Sequence, residues 1–322
     1  MGRSQPMRAA KEEAPLNDIA VRSKQPSIWR RIVSHRTSFV FLSPFFLLFL
    51  FFTVIPVIAA VYFSLTYYNI LEAPRWIGLN NYRNLFLEDD IFLKALGNTL
   101  LFAIVTGPVG YFMSFILAWL ISQIPQKYRF IYTLCFYTPA ITSSVAMSVV
   151  WLYLFSGDRY GLINYWMMNL GIFNEPFMWL QNVDTILPVI IIVSLWMSMG
   201  TGFLAFLAGL ANVPKELYEA GAIDGVRYRW QELRFITLPS VKPMLLFGAV
   251  LTIVNSLQVS EITEQLAGFP STLYAGHMIL NHLNDYAFIR FDLGYASAIA
   301  VILFLMMLGL NRFIFNILGE KE

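Results

Sequence analysis

The sequence predicts an all-α integral membrane protein, a transmembrane bundle of six helices, on three observations. Of its 322 residues, 57% are hydrophobic and only 13% charged, about half the charged share of a soluble domain. Six runs contain no Asp, Glu, Lys or Arg: residues 37–71, 95–126, 130–157, 185–214, 243–260 and 293–311. Each is near or above the roughly 20 residues that a helix needs to cross ~30 Å of hydrocarbon. Stretches such as residues 39–52 and 187–193 show no alternation of apolar and polar positions, which excludes the two-faced strands of a transmembrane β-barrel.

In chain order, residues 1–36 form a basic tail, and residues 37–322 one transmembrane domain with spans expected at about 38–68, 95–122, 130–155, 186–210, 240–262 and 293–317. The first run is far longer than the core of a signal peptide and follows a long polar lead, so it is expected to remain as the first span. Pro56, Pro108 and Pro139 fall inside runs. Proline there removes a helix hydrogen bond and bends the rod, and a multi-helix bundle with a polar interior is needed to satisfy the freed carbonyls.

Six spans put both termini on one side. Seventeen basic residues lie on that side, in the tail, after the second and fourth spans and at the C-terminus; only Arg75, Arg83, Lys94, Arg159 and Arg290 lie opposite. The positive-inside rule makes the first side cytoplasmic. The outer loops are each shorter than the ~50 residues of a small independent domain, so no solute-capturing domain is expected in this chain. The net charge of +2 and the lack of a basic, aromatic-interleaved stripe argue against nucleic acid as a partner. The single cysteine, Cys135, cannot form an intramolecular disulfide and reads as a small apolar residue of the third span.

Polar groups within or beside spans mark a candidate solute path. Asn255, Ser256, Gln258, Ser260, Glu261 and Glu264 gather toward the outer end of the fifth span. On one continuous helix, Gln258 and Glu261 would be neighbours, as would Glu261 and Glu264. The third and fourth spans add Ser144, Ser148, Ser194 and Ser198, beside Tyr137, Trp151 and Trp196. From these, Ser144, Trp196, Asn255, Gln258, Glu261 and Glu264 are the expected contacts of a neutral, hydroxyl-rich solute, with polar groups hydrogen-bonding and rings covering its C–H faces. The competing reading is structural, since hydroxyls and amides in spans also join helices. His35, His277 and His282 have no H-E-x-x-H spacing and no G-x-S-x-G is present, so neither a metal site nor catalytic residues are expected; His277 and His282 read as solvated outer-loop residues.

Between the fourth and fifth spans, residues 214–225 read as a short cytoplasmic helix. Pro214 suits the first turn, Glu216 and Glu219 favour the positive N-terminal end, and Gly225 is a C-terminal stop. Its small centre, Ala220-Gly221-Ala222, permits close approach by another surface, and Tyr218 and Ile223 offer apolar contact.

The string Glu219-Ala220-Gly221-Ala222-Ile223-Asp224-Gly225, followed by Ile236-Thr237-Leu238-Pro239, resembles the EAA loop of permease subunits of bacterial binding-protein-dependent ABC importers, of the carbohydrate type. Other stretches are similar to that family in order and spacing: Tyr67-Tyr68-Asn69, Trp76-Ile77-Gly78-Leu79-Asn80-Asn81-Tyr82, Ala95-Leu96-Gly97-Asn98-Thr99, Tyr160-Gly161-Leu162-Ile163-Asn164, and Phe291-Asp292-Leu293-Gly294-Tyr295-Ala296-Ser297-Ala298. Two departures stand out. Gly221 replaces the usual second alanine, and ten residues separate Gly225 from Ile236 where nine are usual.

The resemblance implies a multi-pass subunit of the bacterial inner membrane that pairs with a second, related permease, two cytoplasmic ATPase subunits and an extracellular solute-binding protein. It assigns Glu219, Ala220, Gly221, Asp224 and Gly225 to ATPase coupling. The chain has no G-x-x-x-x-G-K-[ST] loop, so ATP and Mg would be bound by the partner subunits and no cofactor is expected here. The implied function is ATP-driven import of a carbohydrate, an oligosaccharide by preference, without covalent chemistry in this chain. The rival is an ion- or proton-coupled secondary transporter using Glu261 or Glu264, which leaves the EAA-like segment unexplained.

Overall fold

The computed structural model describes residues 36–318, and the tail expected over residues 1–36 lies, Arg36 apart, outside the described residues. The described residues divide between Val57 and Ile58 into two compact units. In the first, the helix Arg36–Phe49 carries Pro44 in its interior and passes into a π-helical turn, Leu50–Val54.

Among the described residues, four helices are each long and apolar enough to cross a membrane: Thr37–Ser64, Asp90–Ser122, Val183–Ala211 and Leu293–Ile317. Two further pairs of helices are long and apolar enough only when each pair is taken together. Gln126–Ile141 and Ser144–Leu154 meet at 92°, and Arg229–Ser240 and Lys242–Leu257 at 79°. Counting each pair once gives six. The sequence places the third span over 130–155 with Pro139 bending it, and the break falls there: Pro139 lies two residues before the end of the first half, and Thr142 and Ser143 leave helical geometry. The fifth span is shorter than expected. Its helix stops at Leu257 rather than 262, with Gln258 as the capping residue.

In the second unit, the helix Asp90–Ser122 packs against Thr201–Ala211 and Lys242–Leu257, which also pack on each other, and Lys242–Leu257 packs on Leu293–Leu318. One core cluster, with Phe115, Trp119, Phe203, Phe206 and Leu233, lies toward the Lys215–Ile223 end. Two others, around Ile186, Ile190, Leu266 and Met278 and around Phe92, Leu257, Ile279 and Ile299, lie toward the opposite end. Apolar side chains remain exposed along the spans, among them Leu101, Ile104, Phe112, Ile192, Phe247 and Phe313. A surface of that kind is compatible with lipid and not with water.

The end of this unit opposite the Lys215–Ile223 helix is tied together by the short motifs. Buried Asn81 donates from Nδ2 to the carbonyls of Ser64 and Thr66, each at 2.9 Å, and Tyr82 donates to Ser64 Oγ at 2.8 Å. A two-stranded ladder, Thr66–Tyr67 with Arg75–Trp76, holds the adjoining loop. Asn164, fully buried, donates to the carbonyls of Ser156, Asp158 and Phe177 and accepts from Phe177 N–H and Trp179 Nε1. It thereby satisfies five backbone or ring groups of the 156–179 connection, where unpaired groups would each be costly.

Candidate functional site

The segment 214–225 forms the helix Lys215–Ile223, with Pro214 as its N-cap and Glu216 in the first turn. Its C-terminus is closed by a reciprocal pair. Val226 N–H donates to Gly221 O at 2.9 Å and Gly225 N–H to Ala222 O at 3.4 Å, the Schellman arrangement, which requires a left-handed residue between them. Gly225 supplies it with φ of +93°, a conformation that costs glycine nothing and a β-branched residue a great deal.

One face of this helix belongs to the chain itself. Tyr218 donates or accepts at Thr237 Oγ1 at 3.0 Å and packs on the Phe203–Phe206 core. Gly221 is buried, and a Cβ added there would lie 2.5 Å from Ile236 Cδ1. The sequence reading gave the small residue to an outside partner; the geometry gives it to Ile236. The opposite face is open. Glu219, Ala220, Ala222, Asp224 and Gly225 are exposed, and Ile223 is 88% exposed. Tyr228, Trp230 and Phe235 continue this apolar surface, with Trp230 seated against Trp119 at 5.5 Å between ring centroids. The segment's extra residue relative to the family spacing coincides with a π-helical turn, Leu233–Thr237, a geometry that takes up one residue beyond the α-helical count.

The candidate path residues do not form one set. Ser144 begins the helix Ser144–Leu154, and Trp196 ends Val183–Trp196, 43% exposed and edge-on to Trp151 at 5.3 Å. Asn255 is exposed on Lys242–Leu257. Gln258 is exposed just beyond that helix, its Nε2 3.6 Å from Met307 Sδ. Glu261 and Glu264 share a different helix, Glu261–Ala267. The expected helical adjacency of Gln258 and Glu261 is therefore broken by Val259 and Ser260, whereas Glu261 and Glu264 keep theirs. Glu261 is exposed, while Glu264 Oε1 accepts from Asn281 Nδ2 at 2.7 Å and helps fasten two loop helices together. The break of the third span adjoins an interruption of the fourth, where Val183–Trp196 gives way to Thr201–Ala211: a Cβ on Gly200 would lie 4.0 Å from Ala140 Cβ. Beside them, Ser194 Oγ and Trp151 Nε1 are buried without a protein partner.

Sequence reasoning missed a further cluster. Asp89 caps the helix Asp90–Ser122 by accepting from Phe92 N–H at 2.8 Å. Its other oxygen accepts from His282 Nε2 at 3.0 Å and Tyr295 OH at 2.9 Å. Burial opposes ionisation of Asp89, but the bonds from His282, Phe92 and Tyr295 outweigh it and hold the carboxyl down at about 2. His277 and His282, expected in solvent, are 3% and 1% exposed. The only sequence signal was that Ala95–Thr99 and Phe291–Ala298 stood among the family-like stretches without a role.

Residues 110–318 match the family described as binding-protein-dependent transport system inner membrane component. The chain is 32% identical over 274 residues to YesP of Bacillus subtilis, named a probable ABC transporter permease protein, covering 84% of this chain and 86% of that one. It is 30% identical over 283 residues to AraP of the same organism, an arabinooligosaccharides transport system permease protein, covering 87% and 88%. Among solved structures, a bacterial ABC transporter involved in import of the acidic polysaccharide alginate has a chain that superposes with a TM-score of 0.75 at 23% identity, covering 90% of this chain and 97% of that one. The open helix closed by Gly225, the bent spans and the family match over most of the chain lead to one assignment: this chain belongs to the inner-membrane components of binding-protein-dependent transport systems, and it is a multi-pass permease subunit.

Proposed function

We propose that this permease carries a carbohydrate of oligosaccharide size into the cytoplasm, driven by ATP hydrolysed in separate chains. The observation that carries the reading is the Lys215–Ile223 helix. It is fixed to the chain's own core through Tyr218 and Gly221, and it presents Glu219, Ala220, Asp224 and exposed Ile223 outward. A short rigid lever with one free face suits an ATPase that pushes on it. Nucleotide and a loaded binding protein then favour different states of the bundle, which is sufficient for alternating access.

In this reading the partners are a second, related permease, two cytoplasmic ATPase subunits that hold ATP and Mg, and an extracellular solute-binding protein. This chain supplies the path and the lever and performs no covalent step. The tail, the Lys215–Ile223 helix and the C-terminus face the cytoplasm, in keeping with the distribution of basic residues. The carbohydrate assignment draws support from AraP, similar along most of both chains. Ser144, Trp196, Asn255, Gln258 and Glu261 are the residues proposed to meet the sugar, with Glu264 set apart by its bond to Asn281.

Co-reconstitution with the partner subunits tests this. ATP hydrolysis should rise when an oligosaccharide-loaded binding protein is added, with uptake following. Uptake driven by a proton or sodium gradient without ATP would overturn the reading in favour of a secondary transporter.

A further inference from the structure

Residues 269–282 form a strap across the end of the bundle opposite the Lys215–Ile223 helix, and the helix Asp90–Ser122 grips it along one face. Lys94 Nζ donates to Leu273 O at 2.6 Å. Asn98 Nδ2 donates to the carbonyls of Tyr274 and His277, both at 3.0 Å, and Thr99 Oγ1 accepts from Ile279 N–H at 2.9 Å. Asp89 completes the row through His282. Four polar side chains within the first turns of one helix thus hold a segment some 180 residues away in sequence.

The gripped segment is strained. Leu273 and Tyr274 have φ of +46° and +59°, the left-handed region that non-glycine residues seldom occupy. Their carbonyls are the ones that Lys94 and Asn98 hold. Backbone strain of this kind persists only where its surroundings impose it, so weakening the grip favours release.

Two buried imidazoles sit within the strap, perpendicular to each other with centroids 5.6 Å apart. Ionised Asp89 can only accept, so His282 Nε2 carries the proton between them. That leaves His282 Nδ1 buried without a partner, and His277 Nε2 is buried without one as well. His277 is also enclosed by Phe269 and Tyr274, at 5.7 and 5.4 Å. A proton added to His277 would place a cation on a ring that is 3% exposed and whose Nε2 meets no acceptor.

We propose that the strap is an acid-released latch: neutral His277 lets it close on Asp89, Lys94, Asn98 and Thr99, and protonation of His277 from the outer face opens that end of the bundle. The charged and titratable groups around it come from every packed element. Asp89 and Lys94 belong to the gripping helix, Glu264 to Glu261–Ala267, His282 to Ile279–Asn284, Asp285, Tyr286 and Arg290 to the following turn, and Asp292 and Tyr295 to the last span's start. Arg290 is paired with Asp285 at 2.8 Å and lies over the Tyr286 ring. Burial and then His282 push the His277 imidazole down to about 4, with Asp285 and Asp89 opposing but not offsetting them. The folded value lies below the ordinary one, so the closed latch is fully stable above about pH 6.5 and loses stability as pH falls toward 4. Asp89, held at about 2, stays ionised throughout that window and is the anchor, with His277 the sensor.

Hydrogen exchange on the full-length chain, assembled with its partner subunits in lipid nanodiscs, reads the latch directly. The amides of Gly276, Met278 and Ile279 donate to Ser271 Oγ, Asn281 Oδ1 and Thr99 Oγ1 and report closure. After correction for the intrinsic pH dependence of exchange, their protection should fall on the order of 50-fold from pH 7.5 to 4.5. Amides of the Thr201–Ala211 helix should hold theirs. His277→Gln should flatten the dependence to under about threefold, the value expected once the titrating group is gone. Asp89→Asn should lower protection at pH 7.5 by about tenfold while keeping the pH ratio, because a charge-assisted bond is lost and the sensor remains. Protection that does not change with pH in the wild type, a fall shared equally by Thr201–Ala211, or a wild-type pH dependence retained by His277→Gln would overturn the proposal.

Discussion

Gly221 shows how a single residue decides between two explanations of one motif. Its missing Cβ accommodates Ile236 Cδ1, the far end of a flexible side chain. Gly221→Ala should therefore be close to neutral, because the gain of ~1 kcal/mol in helix propensity offsets the small shift of Ile236. Gly221→Leu should lower stability by about 2 kcal/mol through overpacking. Thermal unfolding of the detergent-purified subunit would distinguish them, and equal loss in both variants would contradict the internal role. Gln258 and Glu261, exposed on either side of a helix break, should behave differently from such packing residues. Either changed to alanine should leave assembly intact and reduce uptake of the preferred sugar about tenfold, the effect of one unmade hydrogen bond to a buried partner. Equal uptake of every accepted sugar by both variants and the wild type would remove them from the path.

At the scale of elements, long apolar segments were readable and their interruptions only in part. Composition alone outlines Asp90–Ser122 and Val183–Ala211, and Pro214 with Gly225 brackets Lys215–Ile223. A run without charges does not say where a helix turns. Pro139 marks a bend in the third span but not its 92° angle, and the stop at Leu257, which separates Gln258 from Glu261, carries no such mark. The outer connections were opaque for a related reason. Asn164, His277 and His282 are polar, and polarity in a loop suggests solvent until the fold buries it. Asn164→Ala should cost about 3 kcal/mol or more, since Trp179 Nε1, Phe177 N–H and three carbonyls lose their partner. Limited proteolysis should then cut the 156–181 connection well below the temperature at which the spans unfold; wild-type resistance would contradict that role.

The unit Ile58–Glu322 has a lever at one end and a laced set of loops at the other, with bent helices between. The orientation proposed for it rests on the 17-to-5 division of basic residues. In a Cys135→Ser background, a cysteine replacing Asp158 should react with an impermeant reagent from outside and one replacing Lys215 only from inside; the reverse would invert the topology. The central claim is that energy enters through the Lys215–Ile223 helix, and Gly225 is its most exacting point because φ of +93° admits few other residues. The most direct measurement is ATP-driven sugar uptake in proteoliposomes by complexes carrying Gly225→Val, at matched assembly of all subunits. Uptake should fall at least tenfold while the complex remains in the membrane. Uptake at the wild-type rate in a fully assembled complex would contradict the account.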